Sequence, residues 1–335
     1  MKNNALCKLA TATFALSITF GCGTGSVPPS DEQTSTSRIL DEAPGRSFSE
    51  GFIDGCEGHA LSYQKWTDDS SAYGTLIFAT GRTEYTDKYH HLLPLIRRNL
   101  DIVFYDHFGQ GRSDGVRAHV NSIEEEHACD LKKVIDELTD PNKPRFLLSH
   151  SMGGLSSMRA IQLNPDMVEA AVFSAPMWGL VLPEGFTEET ALQAAEMMVE
   201  NGSAEVPMSE ASETVASCEE AKLTHDCELY DQFASDPLTA IGPATWGAAV
   251  AFLKGITNMN ASLGDVAVPV HVFTAGDEYY VDSKSHPLVC DGINAIHPGR
   301  CTRDILENDW HEVLNEVDRD AYMETALSFF DKHMP

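Results

Sequence analysis

The chain has 335 residues and carries 51 Asp and Glu against 23 Lys and Arg, a formal net charge of −28 at pH 7. A surface this acidic excludes nucleic acid as a partner and opposes anionic lipid head groups, because like charges repel. With 42% hydrophobic and 22% charged residues the composition is that of a globular chain. The acids are spread without a long single-sign block, as on a solvated surface or one suited to salty surroundings, where screening relieves self-repulsion.

The first segment, MKNNALCKLATATFALSITFGCGTGS, places Lys2 and Lys8 ahead of or within reach of an apolar run from Leu9 to Phe20. The run is too short to span a bilayer and no stop-transfer pattern follows, so residues 1–21 read as a secretory signal. Gly21-Cys22 resembles the cleavage site of bacterial lipoproteins, which predicts acylation of Cys22 and a membrane anchor. The expected location is then the periplasm or outer membrane, with simple secretion as the alternative. Residues 22–48, rich in Gly, Ser, Thr and Pro, read as a flexible tether. Export makes disulfides the leading reading of Cys56, Cys129, Cys218, Cys227, Cys290 and Cys301. Six cysteines allow 15 pairings; nearness in sequence favours Cys218 with Cys227 and Cys290 with Cys301, which leaves Cys56 with Cys129. There is no Cys-x-x-Cys pair, and no metal site is expected.

The folded body is expected over 49–335. GHALSYQKW alternates like an edge strand, while YGTLIFATG and DIVFYDHFGQGRSDG contain continuous apolar runs that end in glycine-bearing turns, as buried parallel strands do. KYHHLLPLIRRNL between them has helical spacing. SIEEEHACDLKKVIDELT reads as an amphipathic helix with Ile123, Ala128, Leu131, Val134, Ile135 and Leu138 inward. The strand at Phe146, a helix over 154–163 and the strand VEAAVFSAP follow. Strands alternating with helices imply a mostly parallel sheet covered on both faces. The alternation breaks over about 180–262, where TEETALQAAEMMVENG and ATWGAAVAFLKGITNM are helical by spacing, and this span reads as an inserted helical cap. Its Met197, Met198, Trp246 and Val250, with Phe252, either line an acyl channel or pack the cap against the sheet. VPVHVFTAGDE and the short TRDIL resume the sheet, and RDAYMETALSFFDKH closes the chain as a helix.

The stretch FLLSHSMGGLSS joins a strand to a helix through small residues, and Ser149, Ser151 and Gly153 fit G-x-S-x-G with serine for the first glycine. A serine at such a turn has its Oγ pushed out of the sheet, which makes Ser151 a candidate nucleophile. It needs a base and an acid. Chain order supplies them: Asp277 and Glu278 follow the strand ending at Ala275, and His311 follows the last strand. His90 and His91 fall on a helix, His107 in a buried turn, and the His150 side chain is expected to point away from Ser151.

TGRTEYTDKY, DHFGQGRSDG, SHSMGG, ASDPLTAIGPATWG and WHEVLNE together resemble the α/β-hydrolases grouped as bacterial lysophospholipases and monoacylglycerol lipases, with a fold like that of serine aminopeptidase S33, over roughly Phe52 to His333. The resemblance implies that Ser151 is nucleophile and His311 base, and that the backbone N–H groups of Arg82 and Met152 form the oxyanion hole. It favours Glu278 as the acid, where aspartate is usual, and Asp277 is the alternative. Phe108 stands where arginine is common. The implied function is hydrolysis of carboxylic esters of single-chain lipids through an acyl-enzyme, with no cofactor. A short-chain carboxylesterase and a catalytically silent surface lipoprotein are the alternatives. Haloalkane dehalogenase and epoxide hydrolase chemistry is disfavoured, because those relatives use an aspartate nucleophile and this position is serine.

Overall fold

The computed structural model describes residues 43–211 and 215–335; the signal, Cys22 and the tether up to residue 42 lie outside the described residues. Eight strands form one sheet: β1 (Arg46–Asp54), β2 (Ala60–Asp68), β3 (Gly74–Ala79), β4 (Leu100–Tyr105), β5 (Arg145–His150), β6 (Ala170–Ser174), β7 (Val270–Ala275) and β8 (Cys301–Leu306). They are ordered β1-β2-β4-β3-β5-β6-β7-β8, with β1 and β2 antiparallel to their neighbours and every pair from β4 to β8 parallel. This is the α/β-hydrolase architecture that the resemblance implies.

The continuous apolar runs are explained by burial on both faces. Along the central strands side chains alternate between two cores. Ile77, Val103, Leu147 and Phe173 join one, with Leu131 and Leu155; Leu76, Phe78, Phe104, Phe146 and Leu148 join the other, with Leu92, Leu327 and Phe330. The first core is covered by helices α1 (Cys129–Leu138) and α2 (Ser151–Leu163). The second is covered by the C-terminal helix and by a 3₁₀ segment, Thr86–Leu95, which takes in the first part of the KYHHLLPLIRRNL stretch and contains Pro94. The helix expected from Ser122 onward begins as a π-turn, Ile123–Ala128, capped by the Ser122 hydroxyl accepting from the Glu125 N–H, and becomes α1 only at Cys129.

Two sequence expectations need correction. GHALSYQKW is not the edge: β1 lies outside it, and begins at Arg46, inside the 22–48 span read as tether. The segment RSFSEGFID has too few apolar residues to signal a strand. Its Phe48 packs on Trp66 at 5.3 Å, and the Arg46 guanidinium donates to the carbonyls of Ile96, Arg98 and Leu100.

Between β6 and β7 the chain leaves the sheet and forms α3 (Glu188–Glu200), α4 (Cys218–Ala221), α5 (Cys227–Phe233) and α6 (Trp246–Ala261). Ala195, Trp246, Ala249 and Val250 make a small core of their own with Met198 packed against it. Met197 is exposed. Trp246, Val250 and Met198 therefore hold α3 on α6 within the cap, and of the five only Phe252 packs into the main core beside the sheet. The two last helices are α7 (Ser285–Ile296) and α8 (Arg319–Lys332). Cys56–Cys129, Cys218–Cys227 and Cys290–Cys301 are all bridged, the pairing favoured by spacing.

Candidate active site

Every parallel strand of an open α/β sheet delivers its carboxyl end to one rim, and the site forms there. Strand β5 ends at His150 and α2 starts at Ser151, with no residue between them. The turn holds Ser151 at φ +49°, a left-handed conformation strained for a residue with a Cβ. It also needs Gly153: a Cβ there would stand 2.4 Å from the carbonyl oxygens of both Ala79 and Thr80. The small residues of SHSMGG thus let α2 start against β3.

His311, on the loop after β8, presents its ring to this serine. The Ser151 hydroxyl donates to His311 Nε2 at 2.9 Å, and His311 Nδ1–H donates to Glu278 Oε2 at 2.8 Å. A carboxylate only accepts, so the Nδ1 bond fixes the tautomer that leaves Nε2 free to accept. Glu278 Oε1 takes the Tyr280 N–H at 2.7 Å and the Val281 N–H at 3.4 Å, so the carboxylate is itself oriented. Asp277 faces elsewhere, accepting from the Trp310 indole N–H at 3.2 Å. Of the adjacent acids, the structure joins Glu278 to the histidine.

Charge follows geometry. Burial pushes the Glu278 carboxyl up, but the neighbouring His311 and the bonds it receives outweigh this and hold it below the ordinary glutamate value. Burial pulls His311 down, and the charge and hydrogen bond of Glu278, with the charges of Glu312 and Glu84, raise it above the ordinary histidine value. His150 is pushed down to about 3, by burial first and then by His311, and is neutral. Contrary to expectation, its ring is not directed away from the site: it lies 4.9 Å from the His311 ring and lines the same cavity as Ser151, with Nδ1 held by the Ser174 carbonyl at 3.1 Å.

Such an arrangement is able to pull a proton from a hydroxyl and stabilise the resulting imidazolium. Residues 70–318 match the family described as serine aminopeptidase, S33. The chain belongs to that family. Among its relatives, lysophospholipase L2 of Escherichia coli K12 is 28% identical over 277 residues, covering 77% of this chain and 80% of its own. Monoacylglycerol lipase of Mycolicibacterium smegmatis is 23% identical over 295 residues, covering 85% and 98%. The monoacylglycerol lipase of Paleococcus ferrophilus superposes with a TM-score of 0.64 at 17% identity, over 82% of this chain and 99% of that one, and so shares the fold.

In this S33-family hydrolase Arg82, on the loop after β3, and Met152, in α2 after β5, line a small cavity together. Met152 belongs to the first turn of α2, where backbone N–H groups have no partner within the helix. The loop carrying Arg82 is fixed on both sides: the Gly81 N–H donates to Glu84, and Gln110 both accepts from the Thr83 N–H at 2.7 Å and donates to the Gly81 carbonyl at 2.9 Å. Glu84 in turn pairs with Lys88, at 2.9 Å, and Lys88 with Glu312, the neighbour of His311. Sequence reading missed Gln110, Glu84, Lys88 and Glu312, although all four lie inside the quoted segments; only their long-range contacts mark them. Phe108, which stands where arginine is common, packs its ring tilted against His59 with centroids 4.4 Å apart.

The cavity over Ser151 is walled by Met177, Leu223, Tyr280, Val281 and the buried carboxylates Glu84 and Glu312. A second cavity shares the Thr83, Leu223 and Glu312 walls and runs along α5, past Leu229, Tyr230 and Phe233. From the cap, Leu223 reaches the first cavity, and Leu223, Leu229, Tyr230, Phe233, Ala234 and Thr239 line the second.

Proposed function

We propose that this hydrolase cleaves carboxylic esters of single-chain lipids, lysophospholipids or monoacylglycerols, with Ser151 as nucleophile, His311 as base and Glu278 as acid. The observation that carries it is the unbroken hydrogen-bonded chain from the Ser151 hydroxyl through His311 to Glu278. The names of the lysophospholipase and monoacylglycerol lipase relatives support the lipid substrate. Ser151 Oγ attacks the ester carbonyl while its proton passes to His311 Nε2. The Arg82 and Met152 N–H groups hold the oxyanion, and losing such a donor typically costs about 2.7–4 kcal/mol. Collapse expels the alcohol, which takes the proton from His311. Water, deprotonated by His311, then attacks the acyl-enzyme; the acid leaves and Ser151 is restored.

A series of monoacylglycerols and lysophospholipids of increasing chain length tests the substrate. Each buried CH₂ contributes about 0.8 kcal/mol, so kcat/KM rises beyond butyrate, and the acidic exterior favours neutral or zwitterionic head groups at low salt. A short-chain carboxylesterase is the second reading, favoured by the packing of Trp246, Val250 and Met198 into the cap instead of a channel. A profile that peaks at acetate selects it. Aminoacyl anilides serve as the peptidase control.

The same reading includes export and anchoring through Cys22. Three disulfides among the described residues, and the signal-like run over 1–21, support it. Metabolic labelling with a fatty-acid analogue tests it: label lost in Cys22→Ala supports the anchor, and label absent from the unsubstituted chain refutes it.

A further inference from the structure

The loop between Cys218 and Cys227 makes contacts that the proposed chemistry does not require but that reach both of its loops. The Ala221 carbonyl accepts from the Tyr280 hydroxyl. Lys222 Nζ donates to the Tyr279 hydroxyl at 2.8 Å and lies 4.1 Å from the centre of that ring. Tyr279 and Tyr280 directly follow Glu278. On the other side, the Leu223 carbonyl accepts the Glu312 N–H at 2.7 Å, and the Thr224 hydroxyl donates to the Asn315 carbonyl at 2.8 Å. The His225 ring stacks on Trp310 at 3.8 Å, with 24° between the planes, and its Nδ1 meets Glu316 Oε1 at 2.9 Å. That Glu316 oxygen also takes the Trp310 N–H at 2.8 Å. Five consecutive residues, 221–225, therefore touch the loop of Glu278 and the loop of His311 at once.

The local frame of these five residues is slight: the His225 N–H donates to Glu316 at 3.0 Å, the Asp226 N–H to the Thr224 hydroxyl at 3.1 Å, and Asp226 pairs with Arg319 at 2.8 Å. The helices on either side, α4 and α5, have 4 and 7 residues, too short to be stable by themselves. The local apolar cluster is small, built on Cys218, Ala221, Leu223, Tyr230 and Ala234. The bridge joins residues nine apart and closes the loop covalently. A closed loop has already lost most of the conformational freedom that docking would otherwise remove.

We propose that the disulfide-closed loop Cys218–Cys227 is a clamp that positions Glu278 and His311 relative to each other, so that the cap disulfide sets the rate of the chemical step. The inference rests on the reading of Glu278 and His311 as acid and base. Its residues touch no reacting atom; they act through Tyr279, Tyr280, Trp310 and Glu312.

The test is Cys218→Ser/Cys227→Ser in the full chain, assayed by steady-state ester hydrolysis and by the rate of fluorophosphonate labelling. Misplacement of a base by about 1 Å costs up to a hundredfold, so kcat and labelling fall at least about tenfold together, with KM within about twofold. The groups facing His311 from its neighbours, namely Glu278, Glu312, Glu84, His150, Tyr280 and Lys88 beyond the glutamates, are all retained. A shift of the acid limb of kcat/KM to lower pH then reports a weakened His311–Glu278 bond, which simple destabilisation does not produce. Cys290→Ser/Cys301→Ser removes a bridge of similar span, at the far end of β8, and keeps both kcat and the limb. Unchanged kcat and limb in a folded Cys218→Ser/Cys227→Ser protein overturn the clamp, as do equal losses in the two pairs. Should that variant not fold, His225→Ala, which keeps the bridge and removes the Trp310 stack, decides: a several-fold fall in kcat with the limb shifted supports the clamp, and wild-type values overturn it. An unsubstituted protein that resists the fluorophosphonate instead sinks the Ser151 reading.

Discussion

Ser151 and His311 meet at 2.9 Å but are held by different kinds of structure. Ser151 is fixed by backbone: a central strand, a helix beginning at the serine itself, and a contact with β3 so close that only glycine fits at 153. His311 and Glu278 sit on loops after the two outermost strands of the parallel side, and polar side chains and the cap loop fix them. Ser151, the proposed nucleophile, is thus positioned by the fold, and the proposed relay of His311 and Glu278 by contacts between segments distant in sequence. The first should tolerate no change in shape, and the second should respond to polar substitutions that leave the fold intact.

The largest expected effect tests whether the two regions act as one unit. Ser151→Ala and His311→Ala should each lower kcat by about 10⁶, as in other serine triads, with circular dichroism unchanged. The double variant should lose no more than either single one, measured by ester hydrolysis at high enzyme concentration. Losses that multiply would separate the two residues.

Next in size is the relay's acid. Glu278→Gln should cost about 10⁴ in kcat, the scale seen when a triad acid is made neutral. The base must be neutral to accept the serine proton, and Glu278 raises the pKa of His311. In the unsubstituted protein activity is therefore lost as pH falls through a value above the usual histidine value of about 6.5; in Glu278→Gln the limb moves to lower pH. Asp277→Asn should change kcat several-fold at most, because its partner is the Trp310 indole. The reverse ranking would transfer the role to Asp277.

Smallest in rate, though not in stability, is the backbone side of the comparison. Gly153→Ala puts a methyl group against two carbonyl oxygens, and overpacking of this kind costs about 1–3 kcal/mol. Thermal unfolding should register it in full. A neutral result would show that α2 is free to move away from β3, and that the fold does not fix Ser151 as described.

The same contrast explains what was legible in the sequence. Ser151 was readable because its geometry comes from a few adjacent residues, and His311 because chain order and a terminal loop single it out. The central strands announced themselves through unbroken apolar runs, which burial on both faces demands. Asp277 and Glu278 stayed undecided, since neighbouring residues on a turn diverge by a rotation that only the loop's contacts determine. Strand β1 was missed because it is an exposed edge with little apolar content. The direction of His150 depended on Ser174, and the roles of Gln110, Lys88 and Glu312 on partners far along the chain. Met198, Trp246 and Val250 had the right periodicity for either of two partners, and packing chose the cap.

The central claim, that the Ser151 hydroxyl is the group activated by His311 and Glu278, is tested most directly by mapping the adduct of a fluorophosphonate ester. Peptide mass spectrometry of the inactivated protein should place one phosphonate on Ser151, at a labelling rate that falls in acid along the same limb as hydrolysis, and none on Ser149, Ser156 or Ser157. An adduct on another residue, or full ester hydrolysis by protein whose Ser151 is blocked, would contradict the account.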